Sequence, residues 1–222
     1  MNKKKILQEV RVFLIMILVV SSLRSALADW NDVPTGSMKP TIQEGDRVVV
    51  NKLAYDLKIP FTMVEVAKWG DPKRGDIVVL FSPLDNVRLV KRVIGLPGDR
   101  VAMLNNTVFI NGKPVTLPAT SDPITDSQQG MVFITDENLD GRDHKIMLTP
   151  QSMGSMRSFA PIVVPPGHYF VMGDNRDNSN DSRFIGFIER RRIVGRALAV
   201  AFSLDRDRHY APRFKRFFTA LQ

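Results

Sequence analysis

The chain has 222 residues, of which 44% are hydrophobic, so it can bury the core of one main domain that carries a sizeable insertion. It contains no cysteine, which excludes a disulfide framework and a thiolate metal site. The formal net charge of +8 favours an anionic partner, either a nucleic acid or an acidic lipid surface.

Residues 1–30 have the layout of a targeting or anchoring segment. The uncharged stretch from Val12 to Leu23 lies between Arg11 and Arg24 and follows three lysines at positions 3 to 5. As a helix it would span roughly 18 Å, against about 30 Å of hydrocarbon core, and Ala26-Leu27-Ala28 resembles a cleavage site. A cleaved leader and a retained anchor are therefore both open. In either case the rest of the chain is delivered outside the cytoplasm, which argues against a nucleic-acid partner.

From Asp32 onward the sequence is typical of a mainly β protein. Asn111-Gly112, between the runs 107–110 and 113–117, predicts a two-residue hairpin. Other short runs rich in valine and isoleucine, separated by glycine, proline and aspartate, predict strands at 47–51, 77–82, 87–94, 100–104, 131–135, 145–149, 161–164, 169–172 and 193–202.

The composition changes twice along the chain. Residues 106–160 are polar with few strong strands, which predicts a variable insertion between the two parts of the β core, 31–105 and 161–205. Residues 206–222 form a basic, amphipathic tail. Its apolar residues have the spacing of one helix face, which could rest on an anionic bilayer or pack on the core: Phe214, Phe217, Phe218 and Leu221.

A serine and a lysine stand out as candidates for chemistry. Ser37 lies between glycine and a Pro-Thr turn, in a constrained loop, but a free serine is a poor nucleophile and needs a base. Lys91 shares the apolar face of the 87–94 strand with Leu89 and Val93. Burial lowers the pKa of a lysine and gives the neutral amine that a general base requires. The alternatives are an ordinary loop serine and a lysine that reaches the sheet edge or pairs with an acid.

A Ser-His-Asp arrangement is the obvious competitor. The histidines are His144 in the polar insertion, His168 at a turn entering a strand, and His209 in the basic tail. None of them lies in a loop with the features of a catalytic base.

Residues 173–183 are crowded with short polar groups. Asp177, Ser179 and Asp181 alternate like the first ligands of an EF-hand, but Ser182 stands where the loop glycine belongs and Ile188 where the bidentate glutamate belongs. Two arginines at positions 176 and 183 also oppose cation binding. A hydrogen-bonded network in which Asp181 holds the second arginine and Ser179 orients a buried amine explains more of these residues.

Together these segments resemble the type I signal peptidases, the leader peptidase family. Four blocks occur in the family's order: Gly36-Ser37-Met38-x-Pro40-Thr41, Arg-Gly-Asp-Ile-Val at 74–78, Lys-Arg-Val-Ile-Gly-Leu-Pro-Gly-Asp at 91–99, and residues 173–183. The resemblance extends roughly from Val33 to Phe202. It implies a membrane-bound serine endopeptidase with a Ser-Lys dyad. The implied fold is a coiled antiparallel β-sheet core with a smaller inserted β or irregular region, preceded by one transmembrane helix.

The resemblance implies roles for three residues in the reaction. Ser37 would attack the carbonyl carbon, and Lys91 would take its proton and later deliver it to the leaving amine. The backbone N–H of Ser37 and the hydroxyl of Thr35 would form the oxyanion hole, where one donor is typically worth about 100- to 1,000-fold in rate. Relatives often have serine at position 35. Threonine keeps the hydroxyl, but its β-branch restricts the rotamer.

The resemblance also implies supporting and substrate-binding residues. Ser179 would orient the Lys91 amine, and Asp181 and Arg183 would hold that loop in place. Family members cut after small residues at the first and third positions before the bond, as in Ala-x-Ala. Shallow apolar pockets explain this preference, and we expect their walls to include Val33, Met38 and Val90.

Family members keep the N-terminal segment as an uncleaved anchor, so the resemblance favours retention. It implies a single-pass protein of the bacterial inner (plasma) membrane, with a cytoplasmic N-terminus and a catalytic domain on the extracytoplasmic (periplasmic) side. Its partners would be the signal peptides of exported preproteins and the lipid bilayer, with no nucleic acid, no metal and no cofactor.

Two other functions stay open at this point. A conjugation or pilin-type maturation peptidase would apply the same Ser-Lys chemistry to one dedicated substrate. A non-catalytic, membrane-tethered β module would instead bind extended peptides along a sheet edge.

Overall fold

The computed structural model describes residues 3–120, 123–126 and 128–221. They begin with the predicted N-terminal helix, α1 (Lys3–Leu27), which runs directly into strand β1 (Ala28–Asp32). The apolar side chains from Val12 to Val20 are exposed along this helix. Among the described residues, no helix combines the length and the apolar character that crossing a membrane requires.

Strands follow one another along almost all of the remaining chain, which confirms the mainly β fold. Each strand predicted from a valine- and isoleucine-rich run is present, with ends shifted by a few residues. A short helix, α2 (Ser182–Ile185), follows β15. The strands are β2 (Asp46–Asn51), β3 (Asp56–Lys58), β4 (Glu65–Lys68), β5 (Ile77–Phe81), β6 (Arg88–Gly95), β7 (Arg100–Leu104), β8 (Thr107–Ile110), β9 (Lys113–Pro114), β10 (Thr116–Thr120), β11 (Ile124–Asp126), β12 (Gly130–Leu139), β13 (Arg142–Leu148), β14 (Phe159–Val163), β15 (His168–Met172), β16 (Ile188–Glu189), β17 (Ile193–Asp205), β18 (Ala211–Pro212) and β19 (Thr219–Ala220).

The largest sheet is antiparallel and curled. Its strand order is β1-β2-β17-β5-β6-β15-β16, and β18 and β19 also pair with β17. The curl brings the first strand towards the start of β6, where Arg88 Nη1 donates to Asn31 Oδ1 over 2.5 Å. Val33, just after β1, and Val90, on β6, pack in the same apolar cluster. The loop that follows β1 is thereby placed beside the middle of β6.

Smaller sheets extend this core. One has the order β14-β7-β8-β9, and another has the order β10-β12-β11 with β13 paired to β12, while β3 and β4 form a hairpin. The turn between β8 and β9 is the predicted Asn111-Gly112, with φ of 51° and 81°. Two successive residues at positive φ are what a tight two-residue hairpin requires, so this prediction is confirmed.

Residues 106–160 are more regular than their polar composition indicated. The long hairpin β12–β13 is paired from Phe133↔Leu148 to Leu139↔Arg142. Several of its polar side chains point into the protein, and Glu137 and His144 are buried. The polar composition therefore reflects a buried ionic network as well as exposed surface.

The prediction that the tail forms a helix is wrong. Its described residues form two 3₁₀ turns, Arg206–Arg208 and Phe214–Arg216, and the short strands β18 and β19. These strands pair with the part of β17 that lies beyond its pairing with β5. An unpaired strand edge leaves backbone donors and acceptors without partners, and the tail satisfies them here. Leu221 is 8% exposed in the cluster with Val33, whereas Phe218 is 83% exposed.

Two substitutions in the tail should therefore differ in their effect on stability. Leu221→Ala should lower the free energy of unfolding by about 2 kcal/mol, because it empties a buried site. Phe218→Ala should change it by less than about 0.5 kcal/mol, because the ring is exposed. Urea denaturation of both variants measures the difference. If both variants lost the same free energy of unfolding, as one buried helix face would predict, the pairing of the tail with β17 would be contradicted.

Candidate active site

Ser37 lies in the loop between β1 and β2. The N–H of Lys39 donates to the carbonyl of Gly36 over 3.0 Å, and the N–H of Ile42 donates to the carbonyl of Met38 over 2.9 Å. These bonds fold the loop tightly around the half-buried Ser37. The hydroxyl is held on a fixed backbone, which a nucleophile requires.

Lys91 reaches the serine hydroxyl from strand β6. Its Nζ donates to Ser37 Oγ over 2.6 Å, and the residue is 2% exposed. Burial lowers the pKa of Lys91 to about 8, because the ammonium ion loses its solvation, while the charges of Asp181 and Asp174 act in the opposite direction. With this pKa about a tenth of the amine is neutral at pH 7. The amine can therefore accept a proton from the hydroxyl that it contacts.

Thr35 lies on the open side of the same loop. Its side chain is exposed, and its Oγ1 lies 3.5 Å from Ser37 Oγ. The oxyanion hole implied by the resemblance, formed by the Ser37 backbone N–H and the Thr35 hydroxyl, stays a prediction.

Asp181 and Arg183 form a buried pair below Lys91. Arg183 donates from Nε and Nη2 to the two oxygens of Asp181, each over 2.8 Å, and the backbone N–H of Gly173 donates to the same carboxylate over 2.9 Å. Burial alone would raise the pKa of Asp181, but the bonds and the charge of Arg183 outweigh it and hold that pKa below its usual range. The carboxylate therefore stays charged in a buried site.

Ser179 lies next to this pair. Its hydroxyl is buried and makes no well-formed hydrogen bond within the part of the chain that the structure describes. Gly173 separates it from the serine loop, because a Cβ on Gly173 would lie 2.3 Å from both Ser179 Oγ and the Ser37 carbonyl oxygen. A contact between Ser179 and the Lys91 amine stays a prediction.

Sequence reasoning missed Asp174, Asn175 and Arg92, which connect the 173–183 segment with the Ser37 loop and with strand β6. Asn175 donates from its backbone N–H to the Ser37 carbonyl over 3.1 Å and from Nδ2 to the Gly36 carbonyl over 3.0 Å. Asp174 is bound by Arg92 through Nε over 2.8 Å and Nη2 over 2.7 Å. These residues lie inside the 91–99 and 173–183 blocks, so the signal was present, but their roles depend on tertiary contacts.

The expected pocket residues are placed as a packed group. Val33 and Met38 are buried and Val90 is partly buried, and all three contact one apolar cluster beside the serine loop. In this conformation Val90 keeps the most accessible surface of the three. Their role as pocket walls stays a prediction.

The histidines lie elsewhere. His144 Nε2 is 3.2 Å from Glu137 Oε2, and His168 Nδ1 is 2.9 Å from the Pro166 carbonyl. His209 is exposed in the tail. Among the described residues, the side chains that contact Ser37 Oγ are Lys91 and Thr35.

Comparison with known proteins places this geometry in a family. A family model described as signal peptidase, peptidase S26, matches residues 6–202. The signal peptidase I of Pseudomonas fluorescens is 38% identical over 231 residues, covering 97% of this chain and 80% of the relative. The signal peptidase I P of Bacillus subtilis subsp. natto is 36% identical over 209 residues, covering 94% of this chain and 95% of the relative. A crystal structure of a signal peptidase I from Enterococcus faecalis V583 is 29% identical, has a TM-score of 0.36, and covers 57% of this chain and 96% of that chain.

The close approach at Gly173 gives a test of the site geometry. In Gly173→Ala the new methyl group would collide with the backbone that carries Ser37, so labelling of Ser37 by a serine-reactive phosphonate should slow by about 100-fold or more. Gly70→Ala is the matched control, because its Cβ would meet its nearest atom at an ordinary 3.7 Å. Thermal unfolding checks that both variants fold. Undiminished labelling of the folded Gly173→Ala protein would contradict this geometry.

Proposed function

The chain belongs to the peptidase S26 family of signal peptidases, which are serine endopeptidases, and we propose that it removes signal peptides with Ser37 as nucleophile and Lys91 as general base. The observation that carries this proposal is the 2.6 Å contact between Lys91 Nζ and Ser37 Oγ in a buried site. Ser179, Asp181 and Arg183 are proposed to support the amine.

The chemistry follows from the position of the neutral amine. Lys91 accepts the hydroxyl proton while Ser37 Oγ forms a bond to the scissile carbonyl carbon. The backbone N–H of Ser37 and the hydroxyl of Thr35 donate to the resulting oxyanion. The Lys91 ammonium then returns the proton to the leaving amine, the C–N bond breaks, and an acyl-enzyme remains. Water then attacks the ester carbonyl while Lys91 accepts its proton. The C–O bond to Ser37 breaks, Lys91 returns the proton to Ser37 Oγ, and the signal peptide leaves with a new carboxyl end.

The strand that carries Lys91 offers a place for the substrate. One edge of β6 pairs with β5 from Arg88 to Arg92, while β15 pairs with the other edge at Arg92, Val93 and Gly95. Over residues 88–91 that second edge has no partner strand among the described residues. An extended precursor can add to it through backbone hydrogen bonds, which leads its carbonyl towards Ser37.

The apolar cluster beside this edge supports the proposed specificity. Val33 and Met38 fill the space behind the serine loop, and Val90 borders the open strand edge. Because these three residues pack together, a side chain of the size of alanine fits beside them more readily than a larger one, which would meet packed atoms. We therefore assign cleavage after Ala-x-Ala-like sequences.

The N-terminal helix supports a location at the membrane. Its apolar residues from Val12 to Val20 are exposed, the helix itself runs without a linker into β1, and Trp30 of β1 is also exposed. An interface rich in apolar groups with a tryptophan near its end is typical of lipid contact. We propose that the chain acts at the bacterial inner membrane, with its N-terminal helix in contact with lipid and its catalytic domain outside the cytoplasm.

The dyad assignment predicts the behaviour of two variants. Ser37→Ala and Lys91→Met should each reduce cleavage of an Ala-x-Ala precursor by at least about 1,000-fold, because the nucleophile or its base is lost. The wild-type rate of acylation should rise with pH around a midpoint of about 8, since deprotonation of Lys91 makes the base available. Single-turnover cleavage between pH 6 and 10 measures both effects.

Lys145→Met is the matched control for the lysine variant, because Lys145 is 62% exposed and pairs with Asp136 on the surface of β12–β13. It should cleave at the wild-type rate. Normal turnover by either dyad variant, or an acylation rate that does not change with pH, would reject the proposed chemistry.

Membrane attachment is tested on the full chain. The double variant Leu14→Arg and Leu18→Arg should be released from membranes by alkaline carbonate, because two charges on the apolar face cost several kcal/mol in lipid. The wild type should stay in the membrane fraction. Val66→Arg, which changes an exposed valine of β4, is the control and should also stay. Wild-type protein in the soluble fraction would rule out the assigned location.

A further inference from the structure

A lysine two residues after Ser37 is buried among acids and amides. Lys39 is 8% exposed, and its Nζ lies 3.2 Å from Glu44 Oε2, 3.5 Å from Asp126 Oδ2 and 3.2 Å from Gln128 Oε1. A lysine is rarely buried without partners, and here two of its partners come from the region between residues 106 and 160. The proposed reaction makes no use of Lys39.

The Lys39 contacts act on the backbone of the nucleophile loop, which is the loop between β1 and β2 that carries Ser37. The N–H of Lys39 closes the turn onto the Gly36 carbonyl over 3.0 Å. A Cβ on Gly36 would lie 2.5 Å from Glu44 Oε1 and 3.1 Å from Lys39 Cε, so the glycine packs directly against this ion pair. Movement of the Lys39 side chain would therefore displace the peptide unit that precedes Ser37.

A second contact holds the same peptide unit from the other side. Asn175 Nδ2, which donates to the Gly36 carbonyl, also donates to Gln129 Oε1 over 3.2 Å. Gln129 Oε1 in turn accepts from Thr149 Oγ1 over 3.1 Å. Gln129 thereby fixes the orientation of the Asn175 amide.

Both contacts originate in one turn. Asp126 Oδ1 accepts from the N–H groups of Gln128 over 2.9 Å and of Gln129 over 3.0 Å, which directs the two glutamines towards the nucleophile loop. Its other oxygen contacts Lys39. Asp126, Gln128 and Gln129 together form a nucleophile clamp.

We propose that the nucleophile clamp positions the Ser37 loop for acylation, acting through Lys39 and Asn175. The clamp touches no reacting atom, so these are positioning residues. Misplacement of a nucleophile by about 1 Å costs on the order of 100-fold in rate, so partial release of one contact has a measurable cost. This inference rests on the proposed function, because it concerns the same serine.

The test compares variants of nearly equal size in the full-length enzyme. Lys39→Met and Gln129→Leu should each lower the single-turnover acylation rate constant about tenfold and leave KM within about twofold of the wild type. Lys39→Arg keeps the charge and Gln129→Glu keeps an oxygen acceptor, so each should recover most of the lost rate. Lys145→Met, in the same region but away from the loop, should match the wild type.

The pH profile separates positioning from a charge effect on Lys91. In Lys39→Met the plateau of the acylation rate should fall while the midpoint of its ascending limb stays at the wild-type value. The variants Lys39→Met and Asp126→Asn should also be non-additive, because they break one contact.

Four outcomes overturn the inference: wild-type acylation rates in both variants, a raised KM with an unchanged rate constant, a shifted midpoint, or a rate loss equal to the unfolded fraction measured by thermal denaturation. The wild type and Ser37→Ala are measured in the same assay. If the wild type fails to cleave the precursor, the proposed function itself is rejected. An active wild type with unaffected clamp variants rejects the clamp alone.

Discussion

The proposed reaction depends on one lysine amine that is kept out of water and is uncharged for part of the time. Lys91 is buried on β6 between Asp181 and Asp174, whose negative charges alone would keep it protonated. Each acid is bound in a bidentate manner by its own arginine, Asp181 by Arg183 and Asp174 by Arg92. Because the arginines neutralise the acids, desolvation decides the protonation of the lysine.

The segment from Gly173 to Arg183 contacts both the Ser37 loop and strand β6. It also carries the Asp181–Arg183 pair. Gly173 permits the close approach of the Ser37 backbone, and Asn175 binds that backbone directly. Arg176 binds Glu137 of β12 through both carboxylate oxygens in a fully buried pair. A short polar segment thus joins the loop that carries Ser37, strand β6 and the β12–β13 hairpin in one network of hydrogen bonds and ion pairs.

The region between residues 106 and 160 belongs to this network rather than lying beside it. Its hairpin tip is fixed to the core where Arg74 binds Asp140 over 2.7 Å and Arg142 binds Asp76 over 2.8 Å. The end of β11 within this region contacts the loop that carries Ser37, where Asp126 meets Lys39. A region that the sequence marked as an insertion thus contributes contacts to the loop that carries Ser37.

Local pattern in the sequence determined the strands, the Asn111-Gly112 hairpin and the family motifs that contain Ser37 and Lys91, because alternation, turn chemistry and motif spacing are encoded by neighbouring residues. The 2.6 Å contact between those two residues was decided by the curl of the sheet, which joins segments 54 positions apart. Tertiary contacts also decided the structure of the tail, whose residue spacing had predicted a helix. The tail forms backbone hydrogen bonds with the free edge of β17, and Leu221 packs into a buried cluster. The arginine partners of the acids, and the contacts of Lys39 and Asn175, likewise depend on which charges the fold buries together, and a linear pattern does not specify that.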